Sequence, residues 1–254
     1  MELRVLGCSG GIGAGLRTTS LLLDEDVLID AGTGIGDLSM AELRKLRHIF
    51  ITHSHLDHVA GLPLLVDTLL GAQRPPLTIY ALPDTIDTLK THIFNWKVWP
   101  DFSELPDKNN PSMCYEPIRH HESVNVDGRE IRAIPAEHTV PATGYVISTK
   151  SGAIAFSGDT STNQGMWEAL NRVKNLKLFI VECAFANKDQ KLSDLAKHYC
   201  PKYLAEDMRQ LKQEVQVAIT HLKPGNETLI MEECRAAIPN RDIIQLYGGE
   251  RFKI

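Results

Sequence analysis

Short apolar runs bounded by glycine, proline or charged residues recur along this chain. Runs of this kind, rich in leucine and β-branched residues, are typical of buried strands. The predicted strands are "HIFIT" (48–52), "LTIYAL" (77–82), "GYVIST" (144–149), "AIAFSG" (153–158), "LKLFIVE" (176–182) and "VQVAIT" (215–220). Turn residues join other runs into two hairpins, Thr19–Leu23 with Val27–Asp30, and 123–126 with 129–136 around Asp127–Gly128.

Segments with helical spacing lie between and after these strands. They are a helix capped by Ser39, residues 62–71 ending at Gly71, residues 84–94, residues 163–173, and residues 193–211 with a break at Pro201. Grouped strands with helices between and after them, in two similar halves, predict two sheets face to face with helices outside. The expected organisation is one domain over residues 1–254.

The stretch from Asn95 to His121 shows neither a strand nor a helix period and holds several prolines. It is predicted to form a loop or lid insertion at about 95–121. Its aromatic residues Trp96, Trp99 and Phe102 allow two interpretations. They either stack against a nucleotide base or pack within the lid or at a dimer contact.

The opening "LRVLGCSGGIGAG" places Gly7, Gly11 and Gly13 after an apolar run, as in a dinucleotide-binding turn. That motif requires a helix directly after the turn. The following residues instead indicate the hairpin of residues 19–30, which argues against a nicotinamide-dependent oxidoreductase. The glycines are therefore predicted to allow a tight turn beside another part of the molecule.

Composition narrows the function classes further. The 254 residues carry 27 Lys plus Arg against 32 Asp plus Glu, a net charge of -5, so the overall field does not attract nucleic acid. No apolar run approaches the roughly 20 residues that span a bilayer, and the N-terminus shows no signal sequence, which predicts a cytoplasmic protein. The scattered cysteines Cys8, Cys114, Cys183, Cys200 and Cys234 indicate reduced thiols, neither a disulfide framework nor a zinc finger.

The densest chemistry follows the predicted strand "HIFIT", which runs directly into "HSHLDH", residues 53–58. Residues two apart in an extended segment point the same way, so His53 and His55 can reach one metal together. If the chain then turns, Asp57 and His58 face a second metal. Imidazole and carboxylate groups are usual zinc ligands, so the segment predicts a metal site.

H-x-H-x-D-H after a strand resembles the metallo-β-lactamase superfamily. Later motifs of that family follow in order, with His138 in "AEHTVPATGYVI", Asp159 in "FSGDT" and His221 in "ITHLKP". Asp30 in "LIDAG" corresponds to the aspartate that ends an early strand in the family. The resemblance covers Leu3 to about Pro224 and implies a four-layer αββα sandwich with a two-metal site on one edge of the sheets.

By position, the resemblance also implies the metal ligands. These are His53, His55 and His138 for the first ion, Asp57, His58 and His221 for the second, and Asp159 for both. The implied cofactor is two Zn²⁺ per chain, with Mn²⁺ or Fe²⁺ as alternatives. Two ions about 3.5–4 Å apart suit the in-line hydrolysis of a phosphodiester.

Within the superfamily, "ITHSHLDHVAGLPLL", "HIFNWKVWPDF" and "VECAF" resemble the class II cyclic-nucleotide phosphodiesterases. The predicted activity is hydrolysis of 3′,5′-cyclic nucleotides to 5′-monophosphates, with a small molecule and not a nucleic acid as partner. The alternatives are a tRNA 3′-processing endonuclease, whose basic, Gly-rich arm is not evident here, a lactonase or thioesterase, or a scaffold without metals. A homodimer is compatible with the sequence.

Asp57 and His198 are the predicted catalytic residues. His198, in "AKHYCPKYL", resembles a non-ligand histidine near the site in phosphodiester-cleaving branches, and a surface position before Pro201 is the alternative. Histidine is suited to protonating the departing 3′ oxygen near neutral pH. The remaining histidines, His48, His92, His120 and His121, are expected to be surface or packing residues, and Lys223 is expected to be solvated.

Overall fold

The computed structural model describes residues 1–72 and 75–254. Across these residues two sheets stack face to face, and helices cover both outer faces. This arrangement confirms the predicted αββα sandwich. Within the same residues no helix is both long and apolar enough to cross a bilayer.

The first sheet joins an antiparallel half to a parallel half. Its strands in chain order include β1 (Glu2–Gly7), β2 (Ser20–Leu23), β3 (Val27–Ile29), β4 (His48–Phe50), β5 (Leu77–Ala81) and β8 (Met113–Pro117). Between β5 and β8 in the chain, β6 (Pro106–Asp107) and β7 (Asn110–Pro111) form a small separate hairpin. The spatial order in the described chain is β16-β1-β2-β3-β4-β5-β8, where β16 is Arg251–Lys253. Pairing is parallel from β3 to β8, so β3, β4 and β5 end at the same edge.

The second sheet repeats this plan. Its strands are β9 (Ser123–Val126), β10 (Arg129–Ala136), β11 (Ala142–Ser148), β12 (Ala153–Phe156), β13 (Leu176–Glu182), β14 (Gln216–Thr220) and β15 (Ile243–Gln245). They lie side by side in reverse chain order, antiparallel from β9 to β12 and parallel from β12 to β15. The parallel strands therefore present their C-terminal ends together, as in the first sheet.

Helices connect the parallel strands and cover the outer faces. They are α1 (Met40–Leu43), α2 (Leu56–Val59), α3 (Leu62–Thr68), α4 (Pro83–His92), α5 (Gln164–Leu170), α6 (Gln190–Ala196), α7 (Pro201–Met208) and α8 (Glu227–Ala237). Ser39 caps α1 in a reciprocal capping box with Glu42, which confirms the cap predicted there. The predicted break at Pro201 separates α6 from α7.

Three apolar layers hold the sandwich together. In the layer between the sheets, the Phe50 ring stacks on Tyr80 with centroids 4.4 Å apart. Tyr145, fully buried in the second sheet, donates its hydroxyl hydrogen to the Ile51 carbonyl at 2.8 Å. This hydrogen bond links the two sheets just before "HSHLDH" and fixes the position of that segment relative to the second sheet.

The interpretation of residues 95–121 as a continuous loop is wrong at its C-terminal end. Met113–Pro117 forms β8, which pairs in parallel with β5 and completes one side of the first sheet. Phe102 is 1% exposed and packs in the helix layer with Phe94, so it is a core residue and does not stack on a base. Trp99 packs against the same layer, whereas Trp96 is 58% exposed.

Candidate metal centre

The chain segments that leave the C-terminal ends of β4, β10, β12 and β14 meet at one edge of the sandwich. His53 and His55 follow β4 and α2 begins directly after them, so α2 supplies the turn that the sequence analysis expected. His138 follows β10, Asp159 follows β12 and His221 follows β14. The fold thus brings together all seven ligands that the resemblance implied.

One group of facing donor atoms consists of His53, His55 and His138. His138 Nε2 lies 3.1 Å from His55 Nδ1. The His138 Nδ1–H donates to the Lys197 carbonyl at 2.9 Å, which leaves the Nε2 lone pair free. Two ring nitrogens that converge in this way are arranged to share a cation.

A second group consists of Asp57, His58, Asp159 and His221. Asp159 Oδ2 lies 3.2 Å from both His58 Nε2 and His221 Nε2, and 3.8 Å from His53 Nε2 of the first group. Asp57 Oδ2 is 3.7 Å from His221 Nε2 on the open side. Asp159 therefore places a carboxylate between the two groups.

Several buried atoms of these two groups lack hydrogen-bond partners, although buried polar groups are almost always hydrogen-bonded. Within residues 1–72 and 75–254, no hydrogen-bond partner is found for His53 Nε2, His58 Nε2, Asp159 Oδ1 and both ring nitrogens of His221. Leaving such buried groups unpaired costs about 1–3 kcal/mol each. Imidazole and carboxylate donors in this arrangement fit divalent transition metals, which would satisfy these atoms.

Electrostatics favour the metal-binding forms of most of these groups. Burial lowers the pKa of His53 well below its ordinary value, that of His138 to about 4 and that of His221 to about 3. Burial raises the pKa of Asp159, but the charges of His221 and His58 outweigh this effect and hold it well below its usual range. Neutral imidazoles and an ionised carboxylate are the states that bind metal.

His58 differs because carboxylates face it on both sides. Burial lowers its pKa, but Asp159 and Asp30 outweigh burial and raise the pKa well above the ordinary value. Its Nδ1–H donates to Asp30 Oδ2 at 2.7 Å, so Nε2 is the nitrogen available to a metal. A metal ion bound at Nε2 would therefore displace a proton from His58.

Asp30 organises the ligands from behind. It is fully buried and accepts hydrogen bonds from the Thr52 backbone N–H at 2.8 Å and from the Thr52 hydroxyl at 2.9 Å. The Thr52 oxygen in turn accepts from His53 Nδ1 at 3.0 Å, which points Nε2 of His53 toward the metal groups. One carboxylate thus sets the tautomers of His53 and His58, as outer-shell partners of metal ligands commonly do.

His198 is buried at this edge and is not a surface residue. Its Nδ1–H donates to Glu182 Oε1 at 2.8 Å, and its ring stacks on His221 with centroids 5.2 Å apart. Burial lowers its pKa, but the Glu182 carboxylate outweighs burial and raises it. Sequence reasoning missed Glu182, the last residue of β13; its place at the C-terminal end of a buried parallel strand was the available signal.

The opening glycine turn lies against the loop that carries His221, a member of the second group. The His221 N–H donates to the Cys8 carbonyl at 2.8 Å, and a Cβ on Gly10 would lie 2.4 Å from the His221 carbonyl oxygen. The Lys223 ammonium group donates to the Gly10 carbonyl at 2.7 Å, so the expectation that it is solvated is wrong. The tight turn was predicted correctly, and what it approaches is the loop that carries His221.

The sandwich fold, with histidines and aspartates gathered at one edge, places the chain in a class of metal-dependent hydrolases. Residues 25–238 match the family model described as "Beta-lactamase superfamily domain", and the chain belongs to that superfamily. This finding confirms the family predicted from H-x-H-x-D-H.

Relatives of two kinds are found. The Yersinia pestis protein named "Probable 3′,5′-cyclic-nucleotide phosphodiesterase" is 26% identical over an alignment of 276 residues, gaps included. The alignment covers 88% of this chain and 78% of that protein. "Ribonuclease Z" of Pyrococcus abyssi is 32% identical over 150 residues, which cover 56% of this chain and 45% of that protein. The crystal structure of unliganded yeast PDE1 superposes with a TM-score of 0.80 at 20% identity over 98% of both chains, a likeness of fold.

Proposed function

We propose that this chain hydrolyses 3′,5′-cyclic nucleotides to 5′-monophosphates, using two zinc ions held by the seven ligands of the candidate metal centre. The chain is a metal-dependent phosphoric diester hydrolase, and relatives named cyclic-nucleotide phosphodiesterase align with most of its length. The observation that carries the proposal is the position of Asp159 Oδ2, within 3.2–3.8 Å of imidazole nitrogens from both ligand groups.

Two such ions would supply charge neutralisation at the phosphoryl oxygens and a water activated for attack. The protein's own residues set the geometry for this chemistry. His53, His55 and His138 would hold one ion, and Asp57, His58 and His221 the other, with Asp159 between them. Asp30 keeps His53 and His58 in the required tautomers.

His198 is proposed to protonate the departing 3′ oxygen. A ring nitrogen of His198 lies within 4.8 Å of donor atoms of His138 and Asp159, so the imidazole would border a phosphate bound between the two ligand groups. Glu182 fixes the ring through Nδ1 and itself accepts the backbone N–H groups of Thr160 and Ala184 at 3.0 and 3.1 Å. The other nitrogen is thereby left for the substrate, and Glu182 acts as a positioning residue.

Cleavage of precursor tRNA is the second candidate, because ribonuclease Z relatives match part of the chain. The net charge of -5 argues against it, since RNA binding relies on basic surface. A cyclic nucleotide needs no such surface.

A substrate panel tests the ranking. Purified protein is assayed on cyclic nucleotides, precursor tRNA, bis(p-nitrophenyl) phosphate and a lactone, with Asp159→Ala as the matched inactive variant. We expect kcat/KM to be highest for a cyclic nucleotide. Equal or faster cleavage of precursor tRNA at its 3′ end would reverse the ranking, and activity on the lactone alone would reject both candidates.

A further inference from the structure

A cleft of about 670 Å³ opens directly beside His138. Three elements form its walls: the start of α4 with Asp84, the turn after β8 with Arg119 and His120, and the loop 136–142 that carries His138. Its volume is in the range of small-molecule sites. A phosphodiester bound at the metal centre would therefore extend its remaining part into this cleft.

Arg119 is the cation of this cleft, and its guanidinium makes no ion pair or hydrogen bond to any described residue. The arginines of the larger cleft, of about 780 Å³, are different, because Arg4 pairs with Glu42 at 2.6 Å and Arg17 with Asp37 at 3.3 Å. That cleft also contains none of the seven proposed ligands. The unpaired guanidinium thus lies in the cleft that adjoins the reacting centre.

The backbone around Arg119 is held firmly. The buried Ile118 donates its N–H to the Ala81 carbonyl at 3.0 Å, and the Arg119 N–H donates to Glu122 Oε2 at 2.8 Å. His120 Nε2 donates to the Ala142 carbonyl at 3.0 Å, which ties the turn to the opposite wall. Arg119 is therefore presented from a fixed base, which lowers the entropic cost of binding.

Asp84 adds the opposite chemistry. It belongs to the first turn of α4 and is exposed, and its carboxylate has no ion pair or hydrogen bond within residues 1–72 and 75–254. The cleft therefore offers a guanidinium, which only donates, and a carboxylate, which only accepts. A ligand that fits must offer two acceptors on one edge and donors on another.

Guanine has this pattern, with acceptors at O6 and N7 and donors at N1 and N2. Adenine presents its 6-amino donor where guanine has O6, so it opposes a guanidinium. We propose that the cleft binds the purine base of the substrate and that Arg119, together with Asp84, selects guanine over adenine. The inference rests on the proposed function, because it assigns the base of that substrate.

Inhibition of bis(p-nitrophenyl) phosphate hydrolysis by GMP and AMP tests the inference without requiring cyclic nucleotides to be substrates. The holoenzyme is compared with Arg119→Ala, Arg119→Lys and Asp84→Asn. The control is Arg235→Ala, an exposed arginine on α8 that lines neither cleft. Turnover of cyclic GMP and cyclic AMP is measured in parallel.

We expect the wild type to be inhibited more strongly by GMP than by AMP. Arg119→Ala should reduce that preference by about 10–100-fold, because a bidentate arginine–guanine contact discriminates against the wrong base. Arg119→Lys should restore little, Asp84→Asn should weaken GMP alone, and Arg235→Ala should leave both inhibition constants unchanged. The same selectivity should appear in kcat/KM for the cyclic nucleotides.

Equal loss of GMP and AMP inhibition in Arg119→Ala would overturn the inference, as would a wild-type preference for AMP. If neither cyclic nucleotide is cleaved but GMP inhibition still depends on Arg119, the proposed function is wrong and the guanine site stands. If cyclic nucleotides are cleaved but neither cleavage nor GMP inhibition depends on Arg119, the proposed function stands and the guanine site is wrong.

Discussion

The two edges of the sandwich use buried charge in opposite ways. At the edge away from the metal centre, Arg129 is largely buried at the start of β10, and its guanidinium donates to Asp26 through two bonds of 2.7 Å and to Asp24 at 3.2 Å. At the metal edge, His53, His58 and His221 turn their Nε2 atoms toward Asp159, and these nitrogens have no hydrogen-bond partner among the described residues.

The paired charges at one edge stabilise the fold, whereas the unpaired atoms at the other edge are available to a ligand. Arg129 joins the β2–β3 turn to the second sheet, and its charge is paired with the carboxylates of Asp24 and Asp26. The metal edge keeps its buried lone pairs unpaired, a cost that a fold tolerates where a ligand will occupy the space. Substitutions at the two edges should therefore affect different quantities.

The largest expected effect is that of Asp159→Ala. It removes the carboxylate shared by both ligand groups, so the variant should lose bound metal and show no measurable phosphodiesterase turnover. Elemental analysis of protein purified without added metal should give about two transition-metal ions for the wild type and fewer than one for the variant. Full activity in a preparation without bound metal would contradict the assignment of the whole edge.

His198→Ala should follow, slowing cyclic-nucleotide opening by about 10²–10⁴-fold, the usual contribution of general acid catalysis. Hydrolysis of bis(p-nitrophenyl) phosphate should slow far less, because p-nitrophenolate leaves without a proton. Metal content, measured alongside, should be unchanged. If both substrates slow by one common factor, His198 positions the substrate and the proton comes from elsewhere.

Asp30→Asn should weaken metal affinity by about 10–100-fold, as loss of an outer-shell partner typically does. The amide has a similar shape but cannot accept from His58 Nδ1, Thr52 N–H and the Thr52 hydroxyl as the carboxylate does. Affinity is measured by competition with a chelator, with circular dichroism to verify folding. Asp26→Asn, at the other edge, serves as the control and should retain wild-type affinity.

Asp26→Asn should instead lower the free energy of unfolding by about 1–3 kcal/mol, since it leaves the Arg129 charge incompletely paired. Glu25→Gln in the same turn breaks only the exposed pair with Lys45 and should cost less than about 1 kcal/mol. Urea denaturation at pH 7 measures both. An equal cost for the two variants would show that burial of Arg129 adds nothing.

The contribution of Asp26 should also depend on pH. Burial raises its pKa, but the hydrogen bonds from Arg129 outweigh burial and lower it below 3.8. A carboxyl with a lowered folded-state pKa stabilises the protein above its unfolded pKa, and this stability is lost as the pH falls through the folded value. The difference between wild type and Asp26→Asn should therefore be complete at neutral pH and shrink below pH 3.8.

How much of this was predictable depends on the range of the interactions involved. "HSHLDH" follows a strand, so local periodicity alone predicted that His53 and His55 point together. The positions of His138, Asp159 and His221 came from motif resemblance, because nothing local shows that four strand ends meet. Of the groups that orient the ligands, Asp30 was picked out by the resemblance of "LIDAG", whereas the Lys197 carbonyl is a backbone group without a sequence signature.

The missed elements have physical reasons of their own. β8 reads "MCYEP", with proline at its end, and becomes a strand only because β5 offers an edge for parallel pairing. β16 likewise forms against β1, at the far end of the chain. The helix α8 did carry a signal, since Ile230, Met231 and Cys234 are buried on one face. Tertiary pairing decides short strands, whereas helices follow from their own pattern.

The contact between the opening glycine turn and the His221 loop bears on the order in which parts of the molecule fold. Gly10 and Lys223, which are bonded there, are 213 positions apart, so the position of the His221 loop depends on contacts between distant parts of the chain. Contacts this distant form slowly, after local structure has already ordered. During synthesis His53 and His55 emerge together, but His221 joins them only when the final third of the chain has folded back. We therefore expect the complete set of seven proposed ligands to assemble only after His221 has been made and has reached the other six.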